Sequence, residues 1–367
     1  MTRAKNDQVE PNILERMVNQ TATTLWCDSC DPDEVKKALS WGAIGATSNP
    51  PIVLKNIRVH PAKWNDRAEQ VAAEGRNLTE EAIAWRLVIE ASVEVADLLL
   101  PEFEATRGRD GRMAIQVDPK LWRNSEAMVE QAVILAGIAK NIIVKIPATA
   151  AGILAIEEAT YRGVTTLATV LFTVSQAVAV AEAVERGLLR REQEGLSISD
   201  IHPKCAIMVG RLDDWLKSIA ARDGIIVEPG CLDWAGVAVF KRAYALFVER
   251  GYRVRLLSAA FRNHLHWSEF VGGAVTVSPP LEWQLKYIKS DVILENKIDD
   301  PVPESLLQSL SSLFEDFRRA YDPCGLKPEE FEDFGATQRT LRQFLGAMDN
   351  LQSFVRDSIL PDPINHH

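Results

Sequence analysis

A chain of 367 residues, 47% apolar and 25% charged, is long enough for one large α/β barrel with added helices or for two ordinary domains. Its 20 Gly and 18 Pro exclude collagen-like and disordered classes. The net charge of −10 excludes a nucleic-acid-binding surface spread over the whole protein, while permitting a local basic pocket. The most apolar long stretch, residues 81–100, carries Glu81, Arg86, Glu90, Glu94 and Asp97, too many charges for a membrane span. The first residues, MTRAKNDQVEPNILERM, contain no apolar core of a secretory leader. Five cysteines, an odd number, suit a reducing compartment, so the expected location is the cytoplasm and the sequons at Asn19 and Asn77 carry no expectation of glycosylation.

In chain order, short apolar runs alternate with helical patterns. The predicted strands are 23–28 (TTLWCD), 43–49 (AIGATSN), 113–118 (MAIQVD), 141–147 (NIIVKIP), 164–172 (VTTLATVLF), 205–211 (CAIMVGR), 254–261 (VRLLSAAF) and 274–279 (AVTVSP). Most are continuous apolar runs, as expected of strands covered on both faces. Amphipathic stretches such as 125–140, 175–195 and 234–251 lie between them. Gly42, Gly163, Gly251 and the pair Gly272-Gly273 stand where a helix ends just before a strand, the chemistry of αβ loops.

Eight strands alternating with helices over residues 23–280 predict a single (β/α)₈ TIM barrel. A doubly wound open sheet would normally carry a Gly-rich phosphate loop after its first strand, and neither G-x-G-x-x-G nor G-x-x-x-x-G-K-[ST] occurs. Two segments stand outside the eight units: an excursion over 55–106, read as two helices, and a helical tail over 281–360 with amphipathic helices at 304–321 and 335–360. The whole chain, 1–367, reads as one domain, with the barrel at about 20–280 and the tail as an appendage.

In such a barrel the chemistry sits where strands end and βα loops begin. The polar residues near those ends are Asp28, Asn49, Gln116, Lys145, Thr169, Arg211, Arg262 and Ser278, nearly one for each strand. Lys145 is the sharpest signal, because its neighbours on both faces of the strand are apolar. Burial lowers a lysine's pKa, and an amine tuned to roughly 7–8 attacks a carbonyl to give a Schiff base. The competing reading is a lysine that reaches solvent at the strand end or forms a salt bridge with Asp28 or Asp118.

Other motifs carry less. Cys27-Asp28-Ser29-Cys30 has C-x-x-C spacing but lacks a second pair to complete a zinc site, and Cys27 ends a strand rather than opening a helix. A core Cys27 and an incidental Cys30 are expected, with no metal and no cofactor. His264 and His266 are expected on a helix surface and in a loop. Arg318, Arg319, Arg339 and Arg342 alternate with acids and are expected to form a solvated face.

The runs Ala46-Thr47-Ser48-Asn49-Pro50-Pro51-Ile52, Val144-Lys145-Ile146-Pro147-Ala148-Thr149, Val209-Gly210-Arg211-Leu212-Asp213-Asp214-Trp215 and Ala260-Phe261-Arg262-Asn263 resemble the transaldolases. These are class I Schiff-base aldolases on a circularly permuted barrel of the transaldolase/fructose-6-phosphate aldolase superfamily. The resemblance covers about residues 20–280, and the terminal helix resembles the family's closing helix. It implies Lys145 as the Schiff-base lysine, and Asp28 as the carboxylate that takes the C4 hydroxyl proton. It further implies Thr169 as the group positioning a water, Asn49 as a ligand of donor hydroxyls, and Arg211 and Arg262 as the phosphate pair. Ser278 joins the substrate-binding set as the polar residue ending the last strand.

This sequence also departs from the family. Gln116 stands where transaldolases usually carry a proton-transferring glutamate and fructose-6-phosphate aldolases carry glutamine. Leu167 replaces the usual asparagine, and Ala206 and Ala260 replace serines near the phosphate pocket. A tyrosine of aldolase type, expected near Met208, is absent. The leading expectation is a transferase moving a dihydroxyacetone unit between sugar phosphates, without nucleic-acid or membrane partners. The alternatives are an aldolase releasing free dihydroxyacetone or acting on another sugar, and a non-catalytic sugar-phosphate-binding barrel. Monomer and homodimer both fit the sequence.

Overall fold

The computed structural model describes residues 10–75 and 77–360. Helix α1 (Ile13–Gln20) precedes β1 (Thr24–Cys27), and α2 (Pro32–Leu39) leads to β2 (Ala43–Thr47). Three helices, α3 (Pro50–Val59), α4 (Pro61–Glu74) and α5 (Glu80–Ala105), intervene before β3 (Arg112–Gln116). There follow α6 (Ser125–Ala136), β4 (Ile142–Pro147), α7 (Ala150–Tyr161), β5 (Thr166–Leu171), α8 (Val174–Gln193) and β6 (Lys204–Ile207). Next come α9 (Val209–Asp223), α10 (Ala235–Arg250), β7 (Arg255–Ser258), α11 (Leu265–Ser268) and β8 (Thr276–Val277). The tail comprises α12 (Leu281–Ile288), α13 (Glu304–Leu313), α14 (Glu315–Tyr321) and α15 (Gly335–Ile359).

All eight strands pair in parallel with their sequence neighbours, and β8 returns to β1, closing the (β/α)₈ barrel. The predicted strands are all found, with shorter bounds. Gly42, Gly163, Gly251 and Gly272 each take positive φ before a strand, the turn for which glycine carries no Cβ penalty. No helix among the described residues is long and apolar enough to cross a membrane.

The core has two parts. One lies between the strands and the helical ring; the other fills the barrel with Trp26, Ala114, Ile143, Leu167, Ala206 and Leu257. Trp26 is its bulkiest member, and Gly45 makes room for it. A Cβ at Gly45 would lie 2.3 Å from the indole Cε2.

Three expectations are corrected. The excursion after β2 contains the rest of α3 together with α4 and α5, rather than two helices. The stretch 304–321 is not one helix, because Phe314 is extended and buried between α13 and α14. Burying that ring turns the chain out of helical geometry. Strand β6 ends at Ile207, so Arg211 lies in the first turn of α9 rather than on a strand. The tail helix α15 packs on α3, α4 and α5 and carries Thr340, Gln343 and Phe344 toward the C-terminal mouth of the barrel.

Candidate active site

Side chains alternate across a strand, so the residue two positions beyond the apolar filling also faces inward. Trp26, Ala114, Ile143 and Leu167 belong to that filling. Asp28, Gln116, Lys145 and Thr169 therefore form the next layer toward the C-terminal mouth. Above it opens a cavity of about 130 Å³ lined by Asp28, Asn49, Lys145, Thr169, Arg211 and Arg262, with Thr47 and Met208 beside them.

Lys145 is buried, and its Nζ donates to the Ser48 carbonyl at 3.2 Å. Burial pushes its pKa down to about 8; Asp28 opposes that fall and Arg211 adds to it. The Asp28 carboxyl is raised above its usual range by burial, against the pull of Lys145 and a hydrogen bond donated by the Thr47 hydroxyl. An amine that is readily neutral beside a carboxyl that readily holds a proton can form an imine and exchange a proton with its substrate.

Asn49 caps α3: its Oδ1 accepts from the Ile52 N–H at 3.0 Å, while Pro50 and Pro51 occupy the first helical turn. That leaves its amide NH₂ for the cavity. The Thr169 hydroxyl is buried, and its one hydrogen-bond contact among the described residues is to the Met208 sulfur at 3.9 Å. The next residue, Val170, has φ of 55°, rare for a β-branched residue, and the β5–β6 register slips there. Buried Gln176 supports this kink by donating to the Val170 and Ala148 carbonyls at 3.2 and 3.0 Å.

The two arginines stand at the mouth. Arg211 reaches Thr340 Oγ1 at 3.4 Å and Gln343 Oε1, lies over the Phe344 ring, and has an Nε without a partner among the described residues. Burial, with Arg262 next in effect, pushes its pKa down to about 10. Arg262 is exposed, and its Nε donates to Asp214 Oδ2 at 2.8 Å. Its backbone N–H donates to His266 Nδ1 at 3.1 Å, so Nε2 is the protonated nitrogen that faces Asp213 at 2.7 Å.

The cavity thus brings together Asp28, Asn49, Lys145, Thr169, Arg211 and Arg262. Gln116 and Ser278 are not among its lining residues; both are buried, and the Gln116 amide and the Ser278 hydroxyl lack partners among the described residues. The expectation for His266 is corrected: it is fully buried, whereas His264 is exposed. Cys30 packs in the core with Cys27, and burial raises both thiols, Cys30 to about 12. Sequence reasoning also passed over Thr47, Asp214, Thr340, Gln343 and Phe344, which hold the site's charged groups. The shared run Ala46–Ile52 could have signalled Thr47; the tail contacts depend on the fold.

A groove of about 760 Å³ outside the barrel, between α10 and the segment before α13, is larger but offers no free buried cation among the described residues. Its Lys241 is already bound to Glu269 and to the carbonyls of Lys297 and Asp300.

The family model described as Transaldolase/Fructose-6-phosphate aldolase matches residues 25–322. Transaldolase 2 of Streptomyces avermitilis is 38% identical over 207 residues, 56% of this chain and 55% of that protein. Transaldolase 1 of the same organism is 30% identical over 249 residues, 64% of each chain. The transaldolase of Mycobacterium ulcerans is 29% identical over 249 residues, 65% of each. The chain therefore spans between 55% and 65% of the length of these curated relatives. With the match extending from β1 past β8 into the tail, the chain belongs to the transaldolase/fructose-6-phosphate aldolase family.

Proposed function

We propose that this protein is a transaldolase-type transferase of the cytoplasm that moves a dihydroxyacetone unit between sugar phosphates through an imine on Lys145. The observation that carries this reading is the buried Lys145 amine beside Asp28, beneath a mouth held by two arginines. Neutral Nζ adds to the C2 carbonyl of a ketose phosphate and water leaves, giving an iminium ion. Asp28 takes the C4 hydroxyl proton as the C3–C4 bond breaks, and the electron pair passes into the iminium to form an enamine. The departing aldose phosphate gives way to another, whose aldehyde carbon receives the enamine. Asp28 returns the proton to the new alkoxide, and water placed by Thr169 hydrolyses the imine.

Asn49 binds hydroxyls of the dihydroxyacetone unit, and Arg211 and Arg262 receive the phosphate. Guanidinium forks suit that group, each charged hydrogen bond contributing about 1.5–3 kcal/mol. Lysine itself supplies the electron sink, so this sequence of steps draws on no cofactor. The test is borohydride reduction in the presence of ketose phosphates, with the modified residue located by mass spectrometry.

Gln116 favours a second reading. Its buried amide, in register with Lys145, cannot transfer a proton as a carboxyl would. An aldolase releasing free dihydroxyacetone uses the same imine without efficient transfer. Measuring released dihydroxyacetone alongside transfer product separates the two.

A further inference from the structure

The lower half of the barrel contains a second buried lysine, which the chemistry above leaves unused. Lys204 opens β6 and is 5% exposed, with its Nζ 5.0 Å from the centre of the Trp26 ring. Its ammonium has one long hydrogen bond among the described residues, to Thr276 Oγ1 at 3.4 Å, and no carboxylate there pairs with it. Burial above all, and Arg255 after it, push its pKa down to about 7. Asp110 pulls the other way without pairing with it, and a buried ammonium lacking a paired carboxylate is costly, so an anion entering beside Lys204 would favour its charged form.

Lys204 borders a cavity of about 480 Å³ at the N-terminal mouth of the barrel. The cavity is also lined by Arg109, Asp110, His202, Arg253 and Arg255, and it shares no lining residue with the cavity above Lys145. Arg253 is already engaged by Glu185 and Glu192. Arg255 is not: its guanidinium donates to the Ala22 and Val275 carbonyls, and its Nε has no partner among the described residues. Asp110, the one acid of the lining, is held by Arg109. Lys204 and Arg255, at the starts of β6 and β7, therefore carry positive charge that no described carboxylate pairs with, beside a space of the size that small ligands occupy.

We propose that this cavity binds a phosphate dianion, carried by inorganic phosphate or by a small phosphomonoester, with Lys204 as its buried counter-charge and Arg109 and Arg255 as guanidinium donors. Two guanidinium groups and an ammonium, from the turn before β3 and the starts of β7 and β6, suit a tetrahedral dianion better than a single carboxylate. The site is independent of the imine chemistry, because the Trp26 layer lies between Lys204 and Lys145.

The test is calorimetric titration with inorganic phosphate and, separately, glycerol 3-phosphate at constant ionic strength. Wild type, Arg109→Ala, Lys204→Met and Arg262→Ala are compared. The expected result is a saturable component that Arg262→Ala leaves intact, Arg109→Ala weakens about tenfold and Lys204→Met removes. Equal affinity for both ligands identifies the bare phosphate group as the determinant; tighter binding of glycerol 3-phosphate identifies a phosphomonoester. Arg109 is exposed at the rim, so its variant decides the matter even if Lys204→Met does not fold. Absence of any component sensitive to Arg109 overturns the proposal.

Discussion

Gln116 and Lys145 are register partners on β3 and β4, and the Gln116 amide makes no hydrogen bond to any described residue. A glutamine there can orient water but cannot hold and return its proton. Acid–base assistance is typically worth about 10²–10⁴-fold. Gln116→Glu should therefore raise the rate of dihydroxyacetone transfer from fructose 6-phosphate to erythrose 4-phosphate, with Lys145 still required. A coupled assay of transfer, run beside release of free dihydroxyacetone, reads the effect. A fast wild type and a slower glutamate variant would mean that the site is built around glutamine.

The reactive form of Lys145 is the neutral amine. With the pKa pushed down to about 8, that form makes up about one tenth of the enzyme at pH 7 and half at pH 8. The initial rate of borohydride trapping should accordingly rise about fivefold over that interval and level off above pH 9, approximately. Asp28 holds the proton on Lys145, so Asp28→Asn should move the midpoint to lower pH while impairing carbon–carbon cleavage. A midpoint that rises on this substitution contradicts the assigned coupling.

Phosphate should be the main handle on the substrate. Arg262→Leu is expected to raise KM for phosphorylated ketoses by about ten- to a hundredfold and to leave free ketoses nearly unaffected. Gln343→Leu should act in the same direction but more weakly, because it removes one of the contacts that hold Arg211 on α15 without removing the guanidinium. Equal losses for both substrate types would assign these residues a structural role instead.

The packing of the barrel makes a prediction about stability. Gly45→Ala places a methyl group against the Trp26 indole, with a 2.3 Å approach that forces the ring or the strand to move. Overpacking of this kind costs about 1–3 kcal/mol, measurable by urea denaturation. An unchanged midpoint would show that Trp26 has room to shift.

The barrel was readable because its strands are continuous apolar runs punctuated by glycine, a local signal. The cavity residues were readable because a charged or amide side chain in such a run is conspicuous, as Lys145 and Asp28 are. What the sequence concealed is non-local. His266 looks like a loop histidine until the fold brings it to Asp213, 53 positions away. The run Cys205–Arg211 reads as one apolar strand, although the chain turns into α9 before Arg211. Gln343 carries no signal at all in an amphipathic helix, and only the docking of α15 places it on Arg211.

Lys145 is the proposed covalent site. The direct measurement is borohydride reduction with fructose 6-phosphate, followed by peptide mapping of the adduct. Lys204 serves as an internal control, since burial lowers its pKa even further, to about 7, but it lies at the opposite end of the barrel. One ketose adduct is expected, on Lys145, and none in Lys145→Arg, whose guanidinium stays protonated and cannot form the imine. An adduct on Lys204, or one that persists in Lys145→Arg, would contradict this assignment.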